Sequence, residues 1–475
     1  MEPHLAQNDY QRLLATAALF QEVFSIDWLM DLFADKKPSE ILSLLANGVG
    51  DGILCEEAPG QYRFENPKTK NAWKRRLSDQ EETIYHGCIA DILMRQLPDS
   101  DEKAYALAHH LIHIVNDTER CRYLTAAGDL HLNAFRAEEA LQCYSKVLED
   151  LADRYGEDED RLFTRTAIKY SKVSTARHDT NRVLAILQAA LARTEKRNLK
   201  GTQAILKMHL AKNEWLRSRY DSAMHYFDQG WALAKGLNEP GLMRSAMNFS
   251  TFFLYWQGRF KDAVQIYEQS ASDIENYPRE SFNLLANITI GYCYAQIGQV
   301  TQGLGMLDAI RNHCLEKGDL YLASHTSGNI GNILLDIGRR EDALTFLETS
   351  GREAKKAHND WVGMSVNLNL SYLYHLRGDL KLAVRHLRDF LQQSKKVQAT
   401  VHLYPYLLEL CLAMKTGKLP RLDGLSLENE INALIKGKNI FLKGVAYRFL
   451  AVVRKMEGAP PREVIPILDN AVRWL

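Results

Sequence analysis

At residues 258–263 the chain reads GRFKDA, and at residues 338–343 it reads GRREDA. Related versions stand at 218–223, 298–303 and 378–383, so one motif recurs at a constant interval. Its sixth position always holds a small residue: Ala223, Ala263, Gly303, Ala343 and Ala383. A fixed period of about 40 residues is typical of proteins that stack one structural unit many times.

Each repeat is predicted to be a pair of antiparallel helices. Between residues 284 and 316, two apolar runs with helical spacing flank Gly298-Gln299. A glycine at this point allows the positive φ that ends a helix. Gly291 and Gly331 fall in the middle of first helices, where glycine costs about 1 kcal/mol relative to alanine. We therefore expect the first helix to approach the small residue of the second helix closely.

The same positions match a known family pattern. Ile290-Gly291, followed by Tyr294, Gly298, Gly303 and Leu307, resembles the tetratricopeptide repeat (TPR), whose usual period is about 34 residues. The longer period of this chain is similar to that of bacterial transcription regulators in the maltose-activator class. The resemblance implies an all-α fold, a right-handed TPR superhelix built from helical hairpins of about 40 residues.

We assign residues 118–475 to this TPR solenoid, with about eight or nine hairpins that become degenerate near 160–200 and 400–440. Repeat arrays generally end on a polar capping unit, whereas this sequence ends on Arg473-Trp474-Leu475. We therefore expect the chain to be a piece of a longer protein.

Residues 1–67 differ from the repeats and predict a small winged-helix domain. Three apolar helical stretches, the second with Ser25 as candidate N-cap, precede a β-hairpin formed by Ile53-Leu54 and Tyr62-Arg63-Phe64. This region resembles the winged helix of signal-transduction ATPases with numerous domains (STAND). In that family a His commonly follows the hairpin, and this chain has Asn66 there. Nucleotide sensing at this position is therefore not expected.

The third helix of this domain is a poor candidate for reading DNA. It offers Ser39, Glu40, Ser43 and Asn47, whereas base recognition relies on Arg, Lys, Asn and Gln facing the major groove. We expect a packing role for the domain and no direct DNA binding. Residues 68–117 are predicted to form a helical linker, in which Lys68, Lys70, Lys74, Arg75 and Arg76 form a solvated basic face.

The composition excludes several classes of function. Lys plus Arg equals Asp plus Glu at 59 each in 475 residues, so a broad nucleic-acid surface is not expected. Seven cysteines without C-x-x-C spacing are typical of reduced thiols. No signal sequence begins the chain and no apolar run approaches the ~20 residues of a membrane span. A cytoplasmic location and no membrane contact are expected.

One histidine pair has the spacing of a metal site. His109 and His113 are i, i+4 neighbours with His110 beside them, but the acidic base of H-E-x-x-H is missing. We expect these side chains to serve helix packing, and we predict no metal and no cofactor. Signatures of phosphate loops, kinases, hydrolases and dinucleotide-binding domains are also missing, so the chain is not predicted to be an enzyme.

The expected ligand site is the concave groove lined by the first helices. Aromatic rings offer contact area at low entropic cost, and Asn side chains pair with a peptide backbone. Projection of the repeat register onto these helices selects nine candidate residues: Lys212, Trp215, Asn248, Phe252, Tyr255, Tyr292, Asn332, Tyr372 and His375. The alternative is that the register marks packing alone, and that part of this set fills gaps between repeats.

The leading functional prediction is a non-enzymatic binding and regulatory module. Resemblance implies the TPR sensor region of a signal-transduction ATPase or transcription regulator, which binds a protein, a peptide or a small effector in its concave groove. A nucleotide-binding domain absent from this chain would then be attached to it or act with it. The alternative is a free-standing TPR scaffold for protein–protein interaction.

Overall fold

The computed structural model describes residues 3–174, 180–272, 284–397 and 405–474. Its contacts divide the chain into two compact units, Met1–Val173 (unit 1) and Ser174–Leu475 (unit 2). Parts of both predicted degenerate stretches, residues 175–179 and 398–404, lie outside the described residues. Among the described residues, no helix combines the length and apolar character needed to cross a membrane.

Unit 1 begins with the predicted winged-helix arrangement. Its elements are α1 (Pro3–Ala17), β1 (Val23–Ser25), α2 (Ile26–Leu32), α3 (Pro38–Gly50), β2 (Leu54–Ala58) and β3 (Gln61–Phe64). Ser25 caps α2 by accepting a hydrogen bond from the Asp27 amide at 3.2 Å, as predicted. The sheet is antiparallel in the order β1-β3-β2. Strand β1 was not predicted, because three residues are too few to show a period of two.

The elements that follow in unit 1 are helices. They are α4 (Pro67–Lys74), α5 (Asp79–Gln96), α6 (Asp101–Leu111), α7 (Thr118–Asn133), α8 (Ala137–Asp150) and α9 (Glu157–Ser174). Asn66 is the N-cap of α4 and accepts a hydrogen bond from the Thr69 amide at 2.9 Å. The residue at the family's His position therefore starts a helix here. The predicted domain boundaries after residues 67 and 117 lie next to helix starts and remain predictions.

Unit 2 consists of consecutive helical hairpins, as the period predicts. The first helices of its hairpins include α11 (Lys200–Leu216), α13 (Pro240–Trp256), α15 (Leu284–Gln296), α17 (Leu320–Asp336) and α19 (Asp360–Leu376). Their partners are α12 (Tyr220–Leu237), α14 (Phe260–Ser272), α16 (Val300–Glu316), α18 (Arg340–Lys356) and α20 (Leu380–Val397). Helix α10 (Thr180–Lys196) precedes them, and α21 (Tyr406–Lys415), α22 (Leu427–Lys436), α23 (Ile440–Met456) and α24 (Pro461–Trp474) follow.

The turn inside each hairpin confirms the role of its glycine. Gly258, Gly298, Gly338 and Gly378 have φ values of 72°, 92°, 81° and 81°. This left-handed region is accessible to glycine without the clash that a Cβ would cause. Ser218 has φ 59° at the equivalent position of the first regular copy. The repeated turn is therefore a backbone requirement, and Ser218 meets it at a steric cost.

Close approach of the two helices is also confirmed at the small residues. A Cβ added to Gly303 would lie 2.5 Å from the Gly291 carbonyl oxygen and 3.0 Å from the Ala295 amide nitrogen. A Cβ added to Gly291 would lie 2.8 Å from Leu307. Such contacts are far inside van der Waals distance, so α15 and α16 touch backbone to backbone.

Replacement of Gly303 by Ala should therefore destabilise unit 2. The helix pair has to open before the methyl group fits, which should lower the free energy of unfolding by about 1–3 kcal/mol. Gly305 is the matched control on the same helix, because its added Cβ meets no atom within 4 Å in the part of the chain that the structure describes. Gly305→Ala should gain up to ~1 kcal/mol from helix propensity. Urea unfolding followed by circular dichroism compares the two, and equal stability of both variants would contradict the close approach.

Candidate binding groove

Equivalent positions of neighbouring first helices lie side by side in unit 2. The Lys212 ammonium nitrogen lies 5.3 Å from the centre of the Phe252 ring, one repeat further on. The Gln296 side-chain amide donates to Asp336 at 3.1 Å, again one repeat further along the chain. The repeat register therefore produces columns of side chains that run across the stacked helices.

Four of the nine predicted groove residues are buried in the hydrophobic core. Their relative exposures are 2% for Trp215, 6% for Tyr255, 2% for Tyr292 and 1% for Asn332. The Tyr255 and Tyr292 ring centres are 5.7 Å apart, and both rings contact Phe260. A groove residue has to be at least partly exposed, whereas aromatic neighbours from adjacent repeats enclose Tyr255 and Tyr292.

The other five predicted residues are half-buried: Lys212, Asn248, Phe252, Tyr372 and His375. Tyr372 stacks on Tyr406 of α21, with 4.7 Å between ring centres. Burial lowers the pKa of His375, so its ring favours the neutral form. No ligand role of the nine residues follows from burial alone.

One column of equivalent positions, at residues 256, 296 and 336, was not selected from the sequence. It contains Trp256, Gln296 and Asp336. Asp336 accepts hydrogen bonds from the Tyr406 hydroxyl and from Gln296. Its side chain is exposed, yet desolvation by the surrounding protein raises its pKa above the usual value. A carboxylate that is both exposed and desolvated lies in a concavity. The repeat spacing was visible in the sequence, but the mixed chemistry of the column gave no reason to select it.

Several asparagines of the first helices, among them Asn213, Asn332 and Asn369, have unsatisfied amide atoms. Asn369 is 1% exposed, and neither its oxygen nor its nitrogen has a hydrogen-bond partner among the described residues. The side-chain oxygen of Asn332 likewise finds no partner there. Buried polar atoms are nearly always paired, so these amides are candidates for pairing with a ligand.

The turn between α13 and α14 contacts the start of α23, far along the chain. The Asn439 side-chain amide donates to the Trp256 carbonyl at 3.0 Å, and the Ile440 amide donates to the Gln257 carbonyl at 2.8 Å. Phe441 packs on Phe260 with 5.6 Å between ring centres. Repeats in a straight stack contact only their neighbours. The hairpins of unit 2 therefore curve until the α23 hairpin meets the α13 hairpin, and we call this contact the closing contact.

Two tryptophan rings form a second contact between distant hairpins of unit 2. Trp256 at the end of α13 and Trp361 at the start of α19 have ring centres 5.9 Å apart at 80°. These two tryptophans belong to hairpins that are not neighbours in sequence order. The groove is therefore narrow near Trp256, which explains why predicted groove residues nearby are enclosed.

Gly258 lies at the closing contact, where there is no room for a Cβ. An added Cβ would lie 2.4 Å from the Asn439 side-chain oxygen and 2.9 Å from the Phe441 amide nitrogen. At Gly298, which occupies the equivalent turn, an added Cβ meets no atom of the described residues within 4 Å.

We expect Gly258→Ala to cost more stability than Gly298→Ala. Both variants place a Cβ in the left-handed region, at about 1–2 kcal/mol. Gly258→Ala should lose about 1–3 kcal/mol more, because α23 has to move away. Hydrogen exchange should show faster exchange of the Ile440 amide in Gly258→Ala alone. Equal behaviour of the two variants would mean that the closing contact does not form in solution.

The histidines of unit 1 form a larger cluster than the i, i+4 pair His109 and His113, whose ring centres are 6.3 Å apart. His109 pairs through Nε2 with the Leu19 carbonyl at 3.0 Å. His113 instead stacks on His86 of α5, with 4.3 Å between ring centres. Desolvation, followed by the neighbouring imidazoles of His113 and His109, lowers the pKa of His86 well below its ordinary value. The cluster therefore carries neutral imidazoles.

The exposed face of α3 has little chemistry for DNA. Leu42 and Val49 are exposed there beside Ser39 and Ser43. Lys36, just before the helix, pairs with Asp9 at 2.6 Å. That α3 is poorly suited to reading bases remains a prediction. Its exposed face carries the apolar side chains of Leu42 and Val49.

Stacked helical hairpins with left-handed glycine turns define the fold as that of a tetratricopeptide-repeat protein. No protein-family model matches the chain, and no curated protein matches it. Among solved structures, a Rap protein complexed with competence and sporulation factor is 12% identical. The match covers 76% of this chain and 100% of that one, with a TM-score of 0.53.

Two further similar structures have lower TM-scores. One is the STAND protein with a tetratricopeptide repeat sensor from Pyrococcus horikoshii, 14% identical over 98% of this chain, with a TM-score of 0.45. The chain spans 62% of the length of that protein. The other is the Cut9–Hcn1 hetero-tetramer, 14% identical over 84% of this chain and 67% of that one, with a TM-score of 0.44.

Proposed function

We propose that unit 2 binds an extended peptide or protein segment against its first helices. The observation that carries this proposal is the pair of buried, unsatisfied amides on Asn332 and Asn369. An Asn side chain has one acceptor and two donor hydrogens, which complement the C=O and N–H groups of a peptide backbone. Both amides are buried in the narrow state described, so an extended backbone reaches and satisfies their unpaired atoms only once the groove has opened.

Other side chains of the first helices would supply the rest of a peptide site. Tyr372 and Phe252 offer half-buried rings for apolar side chains. Lys212 and Asp336 place a positive and a negative group on the inner columns. Together they favour an amphipathic ligand with both charged and aromatic groups over a purely apolar one.

Ligand binding would compete with the closing contact. The described state is narrow where Trp256 meets Trp361 and where Asn439 meets the α13–α14 turn. A ligand that requires a wider groove shifts the population toward an open state by its differential affinity for that state. The closing contact therefore gives unit 2 two states through which binding is converted into a conformational signal.

We assign this signal to a regulatory role, as the sensor region of a signal-transduction ATPase or transcription regulator. The combination of a winged-helix arrangement with hairpins of about 40 residues supports the assignment. The Rap protein with a similar fold is complexed with competence and sporulation factor, which accords with ligand recognition by such hairpins. A free-standing scaffold is the alternative, and a nucleotide-binding domain encoded with the chain distinguishes the two.

Peptides selected from a random phage-displayed library on the wild-type chain test the binding site. We expect Lys212→Gln or Asp336→Asn to weaken a selected peptide at least tenfold, because few residues dominate such interfaces. Arg352→Gln on the exposed face of α18 is the control that also removes one charge, and it should leave the affinity unchanged. Calorimetry measures all three. Equal affinities across the set, or a loss in Arg352→Gln alone, would place the ligand elsewhere.

A further inference from the structure

A second site lies in unit 1, where α5 faces the segment that follows α6. Glu82 and His86 are four residues apart on α5 and so share one face of that helix. His113 follows the end of α6 and comes against the same face. The candidate ligand atoms of these three side chains all lie within 4.8 Å of one another.

His86 is held in a ligand-ready orientation. Its side chain is fully buried, and its Nδ1 lies 2.8 Å from Nδ1 of His110. The hydrogen bond between His86 and His110 is compatible with either tautomer, and in the one in which His86 donates, its Nε2 carries the lone pair that a metal ion needs. That Nε2 has no hydrogen-bond partner among the described residues and lies 3.5 Å from a Glu82 carboxylate oxygen. A lone pair that faces a carboxylate is unfavourable unless a cation lies between them.

We propose that Glu82, His86 and His113 bind a divalent transition-metal ion of the zinc type. Two imidazoles and one carboxylate form a ligand set that Zn²⁺ accepts, with water in the fourth position. His110 would then orient the ring of His86 by a hydrogen bond to Nδ1 of His86, as residues in the second coordination sphere commonly do. The sequence interpretation missed this set, because its members come from α5 and the end of α6, and only His113 belongs to the pair it considered.

The three side chains have to move slightly to close around the ion. Zinc–ligand bonds of about 2.0–2.1 Å place neighbouring ligand atoms roughly 3.3 Å apart, which is shorter than the limit of 4.8 Å found here. His86 is fixed by burial, whereas His113 is exposed and Glu82 is half-buried. Rotation of these two side chains therefore completes the site around a stationary His86.

Lys74 is the competitor for this site. Its ammonium group lies 2.8 Å from a Glu82 oxygen and supplies a positive charge there. The Lys74 side chain is only partly buried, so the ion is able to displace it into solvent. Removal of this ammonium group should free the carboxylate and tighten metal binding. A bound ion would link α5 to the end of α6 and stabilise the folded state by an amount that grows with its concentration.

Zinc calorimetry and cobalt absorption on the chelator-treated full chain test the proposal. One Zn²⁺ per chain is expected at the site, with Co²⁺ giving the visible absorption of a low-coordinate complex. His113→Ala and Glu82→Gln should each weaken Zn²⁺ binding at least tenfold, while Lys74→Gln should strengthen it several-fold. Circular dichroism verifies that the variants are folded, and His113 is exposed, so its removal leaves the core intact.

Cys88→Ser is the matched control, since Cys88 is an exposed thiol on the same helix. Its affinity for Zn²⁺ should equal that of the wild type. Three results would overturn the proposal: no binding of either ion by the wild-type chain, wild-type affinity in both His113→Ala and Glu82→Gln, or a loss confined to Cys88→Ser.

Discussion

Backbone contact between paired helices is the constraint on which the repeats depend. At Gly291 and Gly303 the two helices of one hairpin come so close that a single Cβ collides with a carbonyl oxygen. Elsewhere in the array alanine fills the position of Gly303, and the period stays constant. A fixed helix spacing in turn fixes how each hairpin stacks on the next. The curvature of unit 2 is the sum of these small, repeated steps.

Much of the fold could be predicted because its determinants are local. Turn glycines such as Gly298, small residues at helix crossings and apolar spacing all lie within one period of the sequence. Exposure could not be predicted in the same way. Tyr255 and Tyr292 have the register of groove residues, but both contact Phe260, which packs on Phe441 of α23. Burial by a partner several repeats further along the chain leaves no signal within a period. The approach of His86 to the other histidines was missed for the same reason, because His86 and His113 meet only in the folded unit.

In the closing contact, the groups that cap helix ends also join two distant hairpins. Its hydrogen bonds use backbone carbonyls of Trp256 and Gln257 that end a helix and need partners. The cap residue Asn439 serves both sides, since its oxygen accepts from the Leu442 amide while its nitrogen reaches Trp256. One side chain therefore starts α23 and holds it against the α13–α14 turn. A ligand that opens the groove has to replace these few polar contacts and the Phe260–Phe441 packing, which is a modest cost for a regulatory change.

The most direct measurement of this account is zero-length cross-linking with a carbodiimide, which joins a carboxylate to an amine in contact. Lys438, next to Asn439 of the closing contact, lies 2.9 Å from Asp221 of α12, whereas Lys415 lies 2.5 Å from Glu428 in a local hairpin. If the repeats close on themselves, mass spectrometry of the monomer finds both links. Formation of the Lys415–Glu428 link without the Lys438–Asp221 link would contradict the closure of the repeats on themselves.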